Sequence, residues 1–149
     1  MAWEKRHIAI HEAGHAVMAC RFNIEIIKVS INRDGDVAGR VFEAFPDEKV
    51  TAQNADRRIP YLLGGYAASV VFGSTTRGCN NDYNEARWPL QSLNLGSLDD
   101  WKACAVDIMR RPSNVRSVEL VVEQLMQHGE IGVDVVKACI ATADSASAS

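Results

Sequence analysis

At 149 residues, 47% hydrophobic and 23% charged, the chain has the size and make-up of one soluble domain. Sixteen Lys and Arg against nineteen Asp and Glu give a net charge of −3 and no basic stripe, which argues against nucleic acid or an anionic membrane surface as partner. Its apolar runs are too short to span a bilayer and no secretion signal precedes the first helix, so a cytoplasmic protein without membrane insertion is expected.

The first predicted element is a helix over residues 4–20, free of strong breakers until Asn23. Residues 24–31, IEIIKVSI, alternate and are rich in β-branched side chains, which predicts a strand. A turn at 32–36, NRDGD, leads into a second strand over 37–45 that folds back on the first. Residues 51–58 read as a helix, and Pro60 suits the first turn of another that ends at Phe72-Gly73. The Gly, Ser, Thr and Asn of 73–81 predict a loop, with Asn80 or Asn81 capping a helix from Asp82 to Leu93.

The last third is helical. Ser97 and Asp100 have the spacing of a capping box. Two apolar stripes, Trp101 to Ile108 and Val115 to Met126, recur at helical intervals and read as packing faces. A final helix is expected over 133–142. Residues 1–143 are expected to form one domain, with 144–149 a disordered tail. The fold class is α+β, mainly α-helical, with a small β-hairpin and a C-terminal helical bundle. Cys20, Cys79, Cys104 and Cys139 are scattered and read as reduced, small apolar residues.

The chemistry concentrates in IHEAGHAV, residues 10–17. His11 and His15 are four apart, so on a helix they point the same way and can both offer imidazole nitrogens to one Zn2+. Glu12 lies about 100° round the axis from His11, beside the ion without being forced to bind it. That placement suits a general base for metal-assisted hydrolysis. The competing reading is a core helix with two satisfied histidines. Gly14 in mid-helix costs up to ~1 kcal/mol relative to Ala, which implies a steric need for close approach by substrate or a second helix. A catalytic zinc takes three protein ligands and keeps one position open. His128, the next histidine, sits near a helix end and reads as a surface residue. Asp82 and Glu85 stand out instead, because they begin a helix after a polar loop.

HEAGHAV, LLGGYAASVVFG and TTRGCNNDYNEA together resemble the peptidase domain of the FtsH family of ATP-dependent zinc metalloproteases, in order and rough spacing over residues 4–95. The C-terminal VEQLMQHGEIGVDVVKACI is similar to that family's closing helix pair. The resemblance implies a zincin-like active-site helix, with His11 and His15 as the first two zinc ligands, Glu12 as catalytic base and Asp82 as third ligand. It implies no role for Glu85. It also implies that the segment from Val37 to Phe45 is an edge strand able to bind an extended peptide by strand addition, and that the domain forms a homo-oligomer.

The pattern departs from the family in three places. Gly65, Ala68 and Ser69 stand where the family has an arginine and two acidic residues, and Cys79 replaces a small residue. No GxxxxGK[ST] phosphate loop occurs, and the chain begins ten residues before the first ligand, so neither a motor nor a membrane helix is expected. The expected function is an ATP-independent zinc metalloendopeptidase acting on short or unfolded polypeptides. The alternative is a weakly active or inactive regulatory or assembly module. It would keep zinc for stability and work through a separate unfoldase or a full-length FtsH-type protease.

Overall fold

The first helix is apolar on nearly every side, because small and aliphatic residues fill it between its few polar groups. In the computed structural model, which describes residues 2–147, this is α1, Ala2–Arg21. Ala9, Ile10, Ala13, Ala16, Val17, Met18 and Ala19 are all buried, so α1 runs through the centre of the molecule. It ends where Asn23 turns left-handed at φ 57° and the Ile24 N–H reaches back to the Ala19 carbonyl at 2.8 Å.

Three short strands form an antiparallel sheet in the order β2-β1-β3. β1 is Ile26–Ser30, β2 is Arg40–Glu43 and β3 is Glu130–Gly132. Val29 faces Val41 and Ser30 faces Arg40, with a bulge between Ile26 and Lys28. β2 therefore lies at the sheet's edge, the position the resemblance implies, although it is shorter than the predicted strand. β3 was not foreseen; three residues are too few to show a period.

α2 (Ala55–Leu62) and α3 (Gly64–Val71) are separated by a break at Leu63. The expectation that Pro60 opens a helix is corrected here: Pro60 lies inside α2. Proline lacks the N–H that would bond to the Asp56 carbonyl, and the break follows within one turn. α3 crosses α1 closely. A Cβ on Gly14 would stand 2.2 Å from the Gly64 carbonyl oxygen and 2.6 Å from the Ala68 Cβ. The steric need inferred for Gly14 is thus the approach of a second helix, and Ala68 is small for the same reason.

α4 spans Asn80–Ser92, beginning two residues before Asp82. Neither Asn80 nor Asn81 caps it; Cys79 occupies the cap position and makes no side-chain cap bond. α5 (Leu98–Met109) is capped as predicted, with the Asp100 N–H donating to the Ser97 hydroxyl at 3.1 Å. α6 (Pro112–His128) starts on a proline and stops at Gly129, φ 78°. α7 is Val133–Ser147, five residues longer than predicted. Ala143 is fully buried in it, and Asp144 forms a two-bond ion pair with Arg21 at 2.9 and 2.6 Å, joining the last helix to the end of α1. Residues 148 and 149 of the predicted tail lie outside the described residues.

Candidate metal centre

His11, Glu12 and His15 emerge from α1 where the sheet edge and α4 leave a gap, while the neighbouring alanines hold the helix in the core. His11 Nε2 lies 3.1 Å from His15 Nε2, and each lies 3.1 Å from Asp82 Oδ2. Among the described residues this trio is the one grouping of His, Cys, Asp and Glu side chains able to share a metal ion.

Hydrogen bonding defines the protonation of one ring. His15 Nδ1 is 2.8 Å from the Tyr61 carbonyl, which can only accept, so Nδ1 carries the proton. The Nε2 of a neutral His15 is then a bare lone pair, facing a carboxylate oxygen and a second imidazole nitrogen. Three electron-rich atoms at such distances require a cation between them, either a proton or a metal. In a tetrahedral zinc site with bonds of about 2.0–2.2 Å, ligand atoms stand roughly 3.3–3.6 Å apart. The observed triangle is within a few tenths of an ångström of that, so these residues fit the ion.

The electrostatics agree. Burial raises the Asp82 carboxyl, but bonds from both imidazoles outweigh it and hold it well below the usual carboxylate range. Burial opposes charge on His15, yet the hydrogen bond and charge of Asp82 lift it to about 9. Glu12 is pushed up from its ordinary value by burial, with His15 and His11 pulling the other way. A carboxyl poised in this manner can both accept and return a proton.

Glu12 stands where two clefts meet. One, of about 220 Å³, is lined by the trio together with Arg40, Val41, Glu43 and Tyr61. The other, of about 530 Å³, runs from His11 and Glu12 past Val37 and Gly39 to Arg77 and Asn81. The start of β2 presses onto the catalytic candidate itself, since a Cβ on Gly39 would lie 3.0 Å from Glu12 Cγ. Glu43, in the wall of the smaller cleft, accepts at Oε1 from buried Arg58 at 3.0 Å, which ties α2 to the edge strand.

The other candidates fall away from the trio. Glu85 is exposed on the rim of the smaller cleft, and His128 is exposed at the end of α6. Cys79 is buried against the site: its Sγ is 3.7 Å from His11 Nδ1, and burial pushes its thiol up to about 11. A buried thiol of this kind is no reactive thiolate.

Two contributors escaped sequence reasoning. The Tyr61 carbonyl orients His15, and backbone groups carry no side-chain signal. Gly65 makes room for His11, because a Cβ there would stand 2.5 Å from His11 Cε1 and 2.7 Å from both ring nitrogens. The Gly64-Gly65 pair was a visible clue to that. Ser69, one turn on, donates to the Gly65 carbonyl at 2.8 Å and takes no part in the trio.

A His-Glu-x-x-His helix completed by a carboxylate from a second helix is the arrangement of a metallopeptidase. Residues 1–88 match the model of Peptidase family M41, and the chain belongs to that family. It is 30% identical over 150 residues to the ATP-dependent zinc metalloprotease FtsH 2 of Sphaerobacter thermophilus, covering 91% of this chain and 23% of that protein. It is 36% identical over 88 residues to FtsH 2 of a Thermoanaerobacter species, which carries the same description, covering 56% of this chain and 17% of the relative. A Methylococcus capsulatus ATP-dependent zinc metalloprotease FtsH is 37% identical over 94 residues, 56% of this chain and 14% of the relative. The chain thus spans less than a quarter of the length of these relatives. No helix among the described residues is long and apolar enough to cross a membrane.

Proposed function

We propose that this chain is a zinc metalloendopeptidase domain that hydrolyses peptide bonds in short or unfolded polypeptides without consuming nucleotide. His11, His15 and Asp82 hold the ion and Glu12 is the general base. The observation that carries this reading is the 3.1 Å triangle of ligand atoms with a buried carboxylate beside it. A zinc ion bound there supplies a Lewis acid that polarises the scissile carbonyl and acidifies water.

The chain's own residues do the rest. An extended peptide adds to the free edge of β2, its backbone hydrogen-bonding to the strand while side chains enter the flanking clefts. Val37 and Phe45, exposed just beyond the two ends of β2, offer apolar contacts to that peptide. Glu12 removes a proton from the attacking water and returns it to the departing amine. His15 is kept in the metal-binding tautomer by Tyr61 throughout. The hydrolytic groups all lie between residues 11 and 82 of this chain, which supports activity without a nucleotide-driven step.

A quenched fluorescent casein tests this. Cleavage should stop with a chelator and resume with Zn2+. It should fall by about 10²–10⁴-fold in Glu12→Gln, with zinc content unchanged. Cleavage by Glu12→Gln at the wild-type rate would overturn the mechanism.

A further inference from the structure

His15 has a carbonyl to receive its outer ring proton; His11 needs an equivalent. With zinc on Nε2, a neutral His11 carries its proton on Nδ1. The ring has little freedom to find an acceptor, because the Gly65 backbone closes one side and Asp82 holds Nε2. What stands at Nδ1 is the Cys79 sulfur, at 3.7 Å. We infer that Cys79 is a positioning residue for the centre, its Sγ accepting the Nδ1 proton of His11 and so fixing the tautomer and orientation of that zinc ligand. The inference rests on the zinc reading above.

Three further observations support it. Cys79 has no exposed surface, so water does not occupy the sulfur's lone pairs. The Cys79 carbonyl accepts from the Tyr83 N–H at 3.0 Å, and the Tyr83 ring packs edge-on against Tyr66 at 5.7 Å. Lys102 Nζ sits 4.5 Å from the centroids of both rings, so the first turn of α4, which Cys79 opens, is clasped to α3 and α5. Cys79 is also the residue from which α4 starts, three positions before Asp82. One helix start therefore grips His11 at both nitrogens, with a carboxylate at Nε2 and a sulfur at Nδ1. The Cβ–S bond is longer than Cβ–O, so a serine at this position would fall short of the ring.

The test is zinc affinity by chelator competition, joined to imidazole proton–nitrogen spectra of the zinc-loaded protein. Cys79→Ala should bind zinc about 10–100-fold more weakly than wild type, the usual cost of losing an outer partner of a metal ligand. Cys79→Ser, whose oxygen falls short of the ring, should bind zinc about as weakly as Cys79→Ala. In wild type the His11 Nδ1–H should give a slowly exchanging signal that is lost in Cys79→Ala. The His15 Nδ1–H signal, anchored on Tyr61, should persist and so report an intact fold. Affinity in Cys79→Ala within twofold of wild type would overturn the inference. A zinc-loaded wild type with no proton on His11 Nδ1 would do so as well, and needs no variant to fold. Wild-type protein that takes up no zinc would instead sink the metal reading itself.

Discussion

Glu43, half-buried, and Arg58, buried, form an ion pair 3.0 Å apart that fastens the sheet's edge strand to the helix whose Tyr61 carbonyl orients His15. The proposed peptide-binding edge and a proposed metal ligand thus share one support. The two partners are not equally wet: the guanidinium side chain is 5% exposed and the carboxylate side chain 19%. Glu43→Ala should therefore destabilise the fold more than Arg58→Ala, because it strands the drier charge. Breaking a buried pair from one side costs about 3–5 kcal/mol, and the double variant should recover part of it. Urea denaturation of the two single variants and the double variant measures this.

Asp82→Ala removes one corner of the ligand triangle. Its zinc affinity should fall further than the ~10–100-fold that an outer partner is worth. Thermal unfolding gives a second readout. Zinc at 100 times its Kd should stabilise the wild type by about 2.7 kcal/mol, and a chelator should reverse that. Asp82→Ala should show no such rise. An equal zinc-dependent shift in both proteins would remove Asp82 from the ligand set.

Gly65→Ala places a methyl group within 2.7 Å of three His11 ring atoms. The ring must move, and Nε2 with it. Zinc binding should weaken by at least tenfold while the helix content seen by circular dichroism stays near wild type. Titration by calorimetry checks the first expectation; a wild-type affinity would show that the ring yields without harm.

Gly14→Ala sets two effects against each other. Helix propensity favours alanine by up to ~1 kcal/mol. The new methyl would stand 2.2 Å from a backbone oxygen of α3, which no rotamer change can relieve. Overpacking typically costs about 1–3 kcal/mol, so net destabilisation is expected, read as a lower urea midpoint. A more stable variant would mean that α1 and α3 separate easily.

How much of this was legible in the residues depends on what kind of information each part carries. His11, Glu12 and His15 announce themselves through helical spacing alone. Asp82 does not: spacing left it level with Glu85, and only the resemblance separated them. The structure brings Asp82 Oδ2 to the two imidazoles and leaves Glu85 exposed on the rim. Tyr61 acts through its carbonyl and Gly65 through what it lacks, so neither has a chemical signature. Pro60 was misread because a proline suits the first turn of a helix, yet here neighbouring contacts carry α2 past it. The end of α7 was missed because ADSASAS looks unfit for order, although Ala143 and Asp144 each find a tertiary contact.

The burial of α1 also bears on the order in which the molecule can be assembled. Besides β1, β2 and α2, its neighbours come from the middle of the chain, α3, and from further on, α6 and α7, with α3 and α6 covering it most. Within this domain the helix bearing His11 and His15 is made before α3, α6 and α7 and must wait for those coverings, its apolar flanks bare meanwhile. Arg21 meets Asp144 only when the 122 residues between them have been made. The trio of His11, His15 and Asp82 is thus assembled only once segments made after α1 have closed over the helix that carries two of its members.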